Sequence, residues 1–148
     1  MSTQEGNSLL EASVVTGVLG ADAHIIGTWL VSHVLEQAGF KVHRLGNLVS
    51  QEEFIDAAVE THAAAICITS IYGLGSIDAR GLREKCEEAG LKDILLYIGG
   101  YLSPRQAEWS EIEEEFKSLG FNRVYPSTVD LKDFVRDLKA DLALTPGV

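Results

Sequence analysis

The chain has 148 residues, 46% hydrophobic and 23% charged, which suits one domain with a substantial core but not two independent ones. Its formal net charge of -10 repels phosphate backbones and its 12 Lys and Arg residues are scattered, so nucleic acid is not an expected partner. No segment approaches the roughly 20 apolar residues that span a bilayer, and Met1-Ser-Thr-Gln-Glu-Gly has no signal-peptide character, so no membrane role and a cytoplasmic location are expected. Residues 1–12 are expected to be a flexible N-terminal segment and residues 13–143 the folded domain.

An apolar run from Ser13 to Leu19 predicts the first strand, and the helical spacing of Gly27 to Ala38, stopped by Gly39, the first helix. The second strand, Phe40 to Leu45, is the most polar and is expected at an edge of the sheet. Ser50 with Glu53 forms a capping box that opens a helix running to about Thr61. Ala64 to Thr69 is the third strand, Asp78 to Ala89 a helix ended by Gly90, and Ile94 to Ile98 the fourth strand. A helical region is predicted from Ser103-Pro-Arg through Trp109 to Gly120, then a fifth strand at Arg123 to Tyr125. Asp130 caps a last helix from Leu131 to about Leu142.

Five strand and helix alternations of this kind predict an α/β fold with a parallel sheet covered by helices on both faces. The commonest winding at this size is the flavodoxin-like, Rossmann-like order 2-1-3-4-5, which binds ligands beyond the carboxyl ends of strands 1 and 3. Three loops open there: Gly20-Ala-Asp-Ala-His-Ile-Ile-Gly27, Thr69-Ser-Ile-Tyr-Gly-Leu-Gly75 and Gly99-Gly-Tyr-Leu-Ser103.

In an extended segment, side chains two apart share a side, so Asp22 can hold one imidazole nitrogen of His24 and leave the other free for a metal. Taken alone, Asp-x-His is more often an ordinary loop histidine paired with a carboxylate. His33, His43 and His62 share no spacing with it, so a lone histidine suits a metal already held by a macrocycle. Gly27, the hydroxyls of Thr69 and Ser70, and the pair Gly99-Gly100 occur together where a switch-point ligand would touch them, which favours a ligand site. A phosphorylated receiver domain lacks its Asp after strand 3 and its Lys after strand 5 here, and no flavodoxin phosphate loop or G-x-G-x-x-G is present. Cys67 and Cys86 have no C-x-x-C spacing and are read as reduced, structural thiols.

These residues resemble the cobalamin (B12)-binding domains, whose signature is Asp-x-His-x-x-Gly, then Ser-x-Leu, then Gly-Gly. The first and last elements match in full, and the middle one stands as Thr69-Ser70-Ile71. Within that family the chain is similar to the small cofactor-binding subunits of glutamate (methylaspartate) mutase from about Val15 to Pro126. The likeness includes Leu45-Gly-Asn-Leu-Val-Ser-Gln-Glu-Glu-Phe, Ile71-Tyr-Gly-Leu-Gly-Ser-Ile-Asp and Gly120-Phe-Asn-Arg-Val-Tyr-Pro. Ala21 stands where a serine is usual, and Tyr101-Leu-Ser103 departs from the usual run after the glycine pair. These departures are expected to alter contacts without abolishing binding.

The resemblance implies adenosylcobalamin bound with its own base displaced, its nucleotide tail in a slot between strands 1 and 3, His24 as lower axial cobalt ligand and Asp22 behind it. It implies further contacts from Ala23, Ile25, Gly27, Thr69, Ser70, Ile71, Gly99, Gly100, Tyr101, Leu102, Ser103, Pro104 and Arg105. It implies homolysis of the cobalt–carbon bond and a radical rearrangement of L-glutamate to 3-methylaspartate, with glutamate bound mainly by a separate large barrel-type subunit. No catalytic residue beyond the cofactor ligand is expected in this chain. No segment is long enough to enclose a radical, so the chain alone is expected to be inactive, with Ile25, Ile26, Leu74 and Tyr101 leaving apolar surface for cofactor and partner. The loop from Asp22 to Gly27 is expected to move when no cofactor holds it. The alternatives are a methyl-carrying corrinoid protein of a methyltransferase system, which usually has a helical cap before the signature, and a non-catalytic cobalamin-sensing module.

Overall fold

A computed structural model of the protein describes residues 12–20, 26–70, 75–102 and 108–144. The elements in order are β1 (Ser13–Val18), α1 (Ile26–Gln37), β2 (Lys41–Arg44), α2 (Gln51–Thr61), β3 (Ala65–Thr69), α3 (Gly75–Asp78), α4 (Leu82–Glu88), β4 (Leu95–Gly100), α5 (Trp109–Ser118), β5 (Arg123–Pro126) and α6 (Leu131–Leu144). The strands pair in parallel in the order β2-β1-β3-β4-β5. This is the predicted flavodoxin-like winding, with the polar β2 at one edge.

Alternation along the central strands divides the core in two, because successive side chains point to opposite faces. Val15, Ile66, Ile68, Leu96 and Ile98 pack with Phe54, Ala58, Leu82, Cys86 and Phe116 of α2, α4 and α5. Val14, Ala65, Cys67, Leu95 and Tyr97 pack on the other face with Leu35 of α1 and Phe134, Leu138 and Leu142 of α6. Both faces of β3 are therefore covered, and its residues are buried throughout. Cys67 and Cys86 are free and buried, and burial raises both thiol pKa values, as befits packing residues.

The helix caps follow the predicted chemistry. Ser50 Oγ accepts from Glu53 N at 3.1 Å while Ser50 N donates to Glu53 Oε1 at 3.2 Å, and Asp130 Oδ1 accepts from Lys132 N at 2.9 Å. Three expectations need correction. The helix predicted over Asp78 to Ala89 is broken, because Gly81 adopts a left-handed conformation (φ 86°) as the N-cap of α4. Gln51 Nε2 stabilises that break by donating to Asp78 O at 2.6 Å and Arg80 O at 2.9 Å. The helical region expected to run unbroken through Trp109 instead has a helix start there, since Glu108 is extended (ψ 138°) as the N-cap of α5. The fourth strand runs through Gly99 and Gly100, because both pair with β5.

Gly20, two residues past the end of β1 and two before Asp22, is constrained twice. Its φ is +74°, and a Cβ there would stand 2.2 Å from Asp78 Oδ2. Its N also donates to Val49 O at 2.7 Å, which ties this turn to the segment after β2. Gly20→Ala is expected to destabilise the protein by roughly 2–4 kcal/mol, combining left-handed strain with overpacking. Gly46 (φ +83°) has nothing within 4 Å of the added Cβ. Gly46→Ala should therefore cost only about 1 kcal/mol, and urea unfolding of the two variants would separate strain from collision.

Candidate functional site

Parallel register aligns one row across the carboxyl edge of the sheet: Val18 beside Thr69, Thr69 beside Gly99, and Gly99 beside Tyr125. Above this row, on the α1 and α6 face, lies a cleft of about 330 Å³. Its floor is Cys67, Thr69, Tyr97, Gly99 and Tyr125, one wall is Gly27, Leu30 and Val31 of α1, and the other runs from Pro126 to Phe134. Apolar atoms dominate this lining, so the cleft suits a flat, largely apolar group. No residue of β1 lines it, and it lies over β3, β4 and β5 rather than between the first and third strands.

The glycines predicted at this edge have separable roles. Gly27, in the first turn of α1, faces Thr69, whose Cβ and Cγ2 are each 4.0 Å from where a Cβ on Gly27 would be. A side chain there would occupy the cleft. Gly99 has a different neighbour, since a Cβ would stand 3.2 Å from Tyr125 Cβ. Its bareness lets β5 bring an aromatic ring over the floor. Gly100 carries φ +121° and turns the chain out of β4 toward Tyr101, which is half-exposed, and Leu102, which is buried in the opposite core.

Three buried hydroxyls at this end of the sheet lack a hydrogen-bond partner among the described residues: Thr28, Thr69 and Ser70. Each is at least nine-tenths buried. An unsatisfied buried hydroxyl costs about 1–3 kcal/mol, so three of them beside a cleft are groups that polar atoms of a ligand could satisfy. By contrast Thr16 Oγ1 and Ser32 Oγ share a 2.7 Å hydrogen bond, and Ser32 donates to Thr28 O at 2.7 Å, fastening the start of α1 to β1.

Beneath the cleft, α6 supplies two carboxylates that a sequence reading of strand ends does not detect. Arg123 forms a bidentate pair with Asp141, at 2.7 Å from Nε and 3.0 Å from Nη2, and its Nη1 lies 3.5 Å from Asp137. Tyr97 donates its hydroxyl to Asp141 and Tyr125 donates its own to Asp137 at 2.8 Å. The rings of Tyr97, Tyr125 and Phe134 meet with centroids 5.7–5.9 Å apart. The hydrogen-bonded Arg123 holds the Asp141 carboxyl below its ordinary range, and burial, then the hydrogen bonds to Asp141 and Asp137, push both phenols up. The i, i+4 spacing of Asp137 and Asp141 and the alternation of Arg123 with Tyr125 are visible in the sequence, but by themselves they read as ordinary surface.

Among the predicted site residues, Gly27, Thr69, Gly99 and Gly100 come together around the cleft, with Ser70 adjoining Thr69 and donating its N to Gly99 O at 3.1 Å. Asp22, Ala23, His24, Ile25, Ile71, Ser103, Pro104 and Arg105 lie outside the described residues. So does Leu74, named with Tyr101 as apolar surface. Of the other histidines, His33 stacks on Trp29 at 5.3 Å, His43 belongs to the edge strand and His62 is the C-cap of α2.

Residues 12–115 match the B12 binding domain family. The chain is 51% identical over 134 residues to a glutamate mutase sigma subunit from Carboxydothermus hydrogenoformans, covering 90% of this chain and 98% of that one. It is 46% identical to the glutamate mutase sigma subunit of Clostridium tetanomorphum, covering 89% of this chain and 96% of that one. The chain belongs to the glutamate mutase sigma subunit family, among the B12 binding domains. The same fold, at 21% identity and a TM-score of 0.72, occurs in a cobalamin-binding protein from Desulfitobacterium hafniense, with 88% of this chain and 58% of that one covered. For a sigma subunit the apolar cleft, with bare glycines at its rim and unpartnered hydroxyls beside it, fits the tail of a corrinoid on the geometry of this chain alone.

Two predictions test this site. Thr69→Val removes an unpartnered buried hydroxyl, so it should raise the stability of the cofactor-free protein by up to about 1 kcal/mol while weakening cobalamin binding roughly three- to tenfold. Chemical denaturation and equilibrium titration measure the two effects separately. The second concerns pH. Asp141 is lowered in the folded state, so its contribution is complete above the ordinary value of 3.8 and is lost as pH falls through the folded value. Tyr97 and Tyr125 are raised, so theirs is complete below 10.0 and is lost as pH rises through the folded values. The denaturant midpoint should therefore fall at both extremes, and in Asp141→Asn the acid fall should shrink.

Proposed function

We propose that this chain carries adenosylcobalamin for a carbon-skeleton mutase that interconverts L-glutamate and 3-methylaspartate, working with a separate large barrel-type subunit that binds the amino acid. The observation that carries the proposal is the apolar cleft flanked by the unpartnered hydroxyls of Thr69 and Ser70, in a chain about half identical to glutamate mutase sigma subunits along nearly its whole length. The cobalamin-binding unit spans residues 13–143, and its setting is the cytoplasm.

Residue roles follow from chemistry. His24 would hold the cobalt of the cofactor, and Asp22, two positions earlier, would fix its tautomer and strengthen it as a donor. Ala23 and Ile25 would flank the ligand, while Ile71, Tyr101, Ser103, Pro104 and Arg105 would border the corrinoid, with Leu102 anchoring that segment in the opposite core. Gly27 leaves room between α1 and β3 for the nucleotide tail. Thr69 and Ser70 satisfy their hydroxyls on polar atoms of that tail. When bound, adenosylcobalamin supplies a cobalt–carbon bond whose homolysis begins hydrogen abstraction from the substrate. The protein holds the ligand and excludes water on the side it covers, and the large subunit completes the enclosure.

The purified chain is expected to take up adenosylcobalamin with the cofactor's own base displaced, and to interconvert glutamate and 3-methylaspartate only after a large mutase subunit is added. In His24→Gly the visible spectrum should change and the nitrogen superhyperfine splitting of the cob(II)alamin state should change with it. An unchanged signal would remove His24 as the ligand. Activity with methyltransferase partners instead would favour a methyl carrier, and tight binding with no activity in either system a sensing module.

A further inference from the structure

Resting on the cobalamin reading, we infer that Arg123, Asp137 and Asp141 are positioning residues for the nucleotide tail. They act through the two tyrosines that floor the cleft, not by touching the cofactor. Tyr97 and Tyr125 have amphipathic side chains, and a phenol with no partner would turn its hydroxyl to whatever acceptor it could reach, the cleft included. The clasp removes that freedom. Tyr97 donates to Asp141, Tyr125 donates to Asp137 at 2.8 Å, and Arg123 holds both carboxylates, bidentately on Asp141 and at 3.5 Å from Asp137. Both hydroxyls are thereby engaged by α6, and the cleft receives ring surface instead.

The clasp also fixes the attitude of those surfaces. The rings of Tyr97 and Tyr125 are inclined at 55°, and Phe134 closes on them at 67° and 86°. Phe134, Asp137 and Asp141 all belong to α6, so that helix supplies both the third ring and the two tethers. Gly99 completes the device, because the missing Cβ lets Tyr125 settle at the end of β5. The result is a preorganised apolar floor, and preorganisation contributes affinity by avoiding ordering costs during binding. The effect should therefore be confined to corrinoids that possess a nucleotide tail.

The experiment compares cobalamin with cobinamide, the corrinoid lacking the tail, by equilibrium titration on the intact chain. In the native protein cobalamin is expected to bind at least about tenfold more tightly than cobinamide. Equal binding would remove the cleft's role as the tail slot and the present inference with it. Tyr125→Phe keeps the ring and severs one tether, and Arg123→Met releases both carboxylates. Each should weaken cobalamin roughly three- to tenfold with cobinamide affinity unchanged, and Asp137→Glu should retain more of the native ratio than Asp137→Ala. A native-like ratio in folded Tyr125→Phe and Arg123→Met, even with lowered stability, would make the clasp purely structural and overturn the inference. An equal loss for both corrinoids would overturn it too. Should Arg123→Met fail to fold, the single-tether Tyr125→Phe decides the outcome.

Discussion

The crossover from β1 runs to β2 on one side while that from β3 runs to β4 on the other, and the chain can cover the sheet's carboxyl edge with neither. Every feature of the site descends from that reversal of winding. It places the turn that leads out of β1, the hydroxyls that end β3 and the glycines that end β4 at one edge, and it leaves α1 and α6 as the walls of the opening on one face. Parallel register then fixes which residues share a row, so Thr69, Gly99 and Tyr125 become neighbours although far apart in the chain.

The two faces of the sheet are not equivalent in this respect. On the face of α2, α4 and α5, side chains fill the space continuously, with Phe54 so close under Gly17 that an added Cβ would stand 3.1 Å from its ring. On the other face the aromatic residues retreat toward α6 and leave volume behind them. A chain optimised only for stability would fill that volume with aliphatic groups and satisfy its hydroxyls internally. Here three buried hydroxyls, those of Thr28, Thr69 and Ser70, break that rule together at one end of the sheet beside the cleft, and such violations of local consistency mark function.

Much of this was legible in residue order. The apolar runs and glycine stops predict the strands and most helices to within one or two positions, because buried parallel strands and capped helices leave strong local patterns. The break between α3 and α4 was not legible, since it depends on Gln51 of α2 reaching the carbonyls of Asp78 and Arg80 across the fold. Nor was the cleft's position over β3, β4 and β5, because volume is set by how far α6 stands from the sheet. The motif residues Gly27, Thr69, Gly99 and Gly100 could be picked out by their place at strand ends. Arg123, Asp137 and Asp141 could not, because a charged pair on a strand and a helix reads as ordinary surface until the tyrosines beside it are seen to line the opening.

The unpartnered hydroxyls and the tethered tyrosines express one thermodynamic relation from opposite sides. Leaving Thr69 and Ser70 unsatisfied raises the free energy of the empty protein, and a ligand that satisfies them recovers that energy as affinity. Satisfying Tyr97 and Tyr125 internally lowers the free energy of the empty protein, and it prevents those hydroxyls from competing for, or clashing with, an apolar guest. Polar groups near the opening therefore fall into two sets. On the proposed reading, those kept unsatisfied draw the ligand in, and those satisfied on α6 shape what it meets. Binding free energy in such a cleft is distributed between the two sets, so a carboxylate on α6 can influence cofactor affinity without touching the cofactor at all.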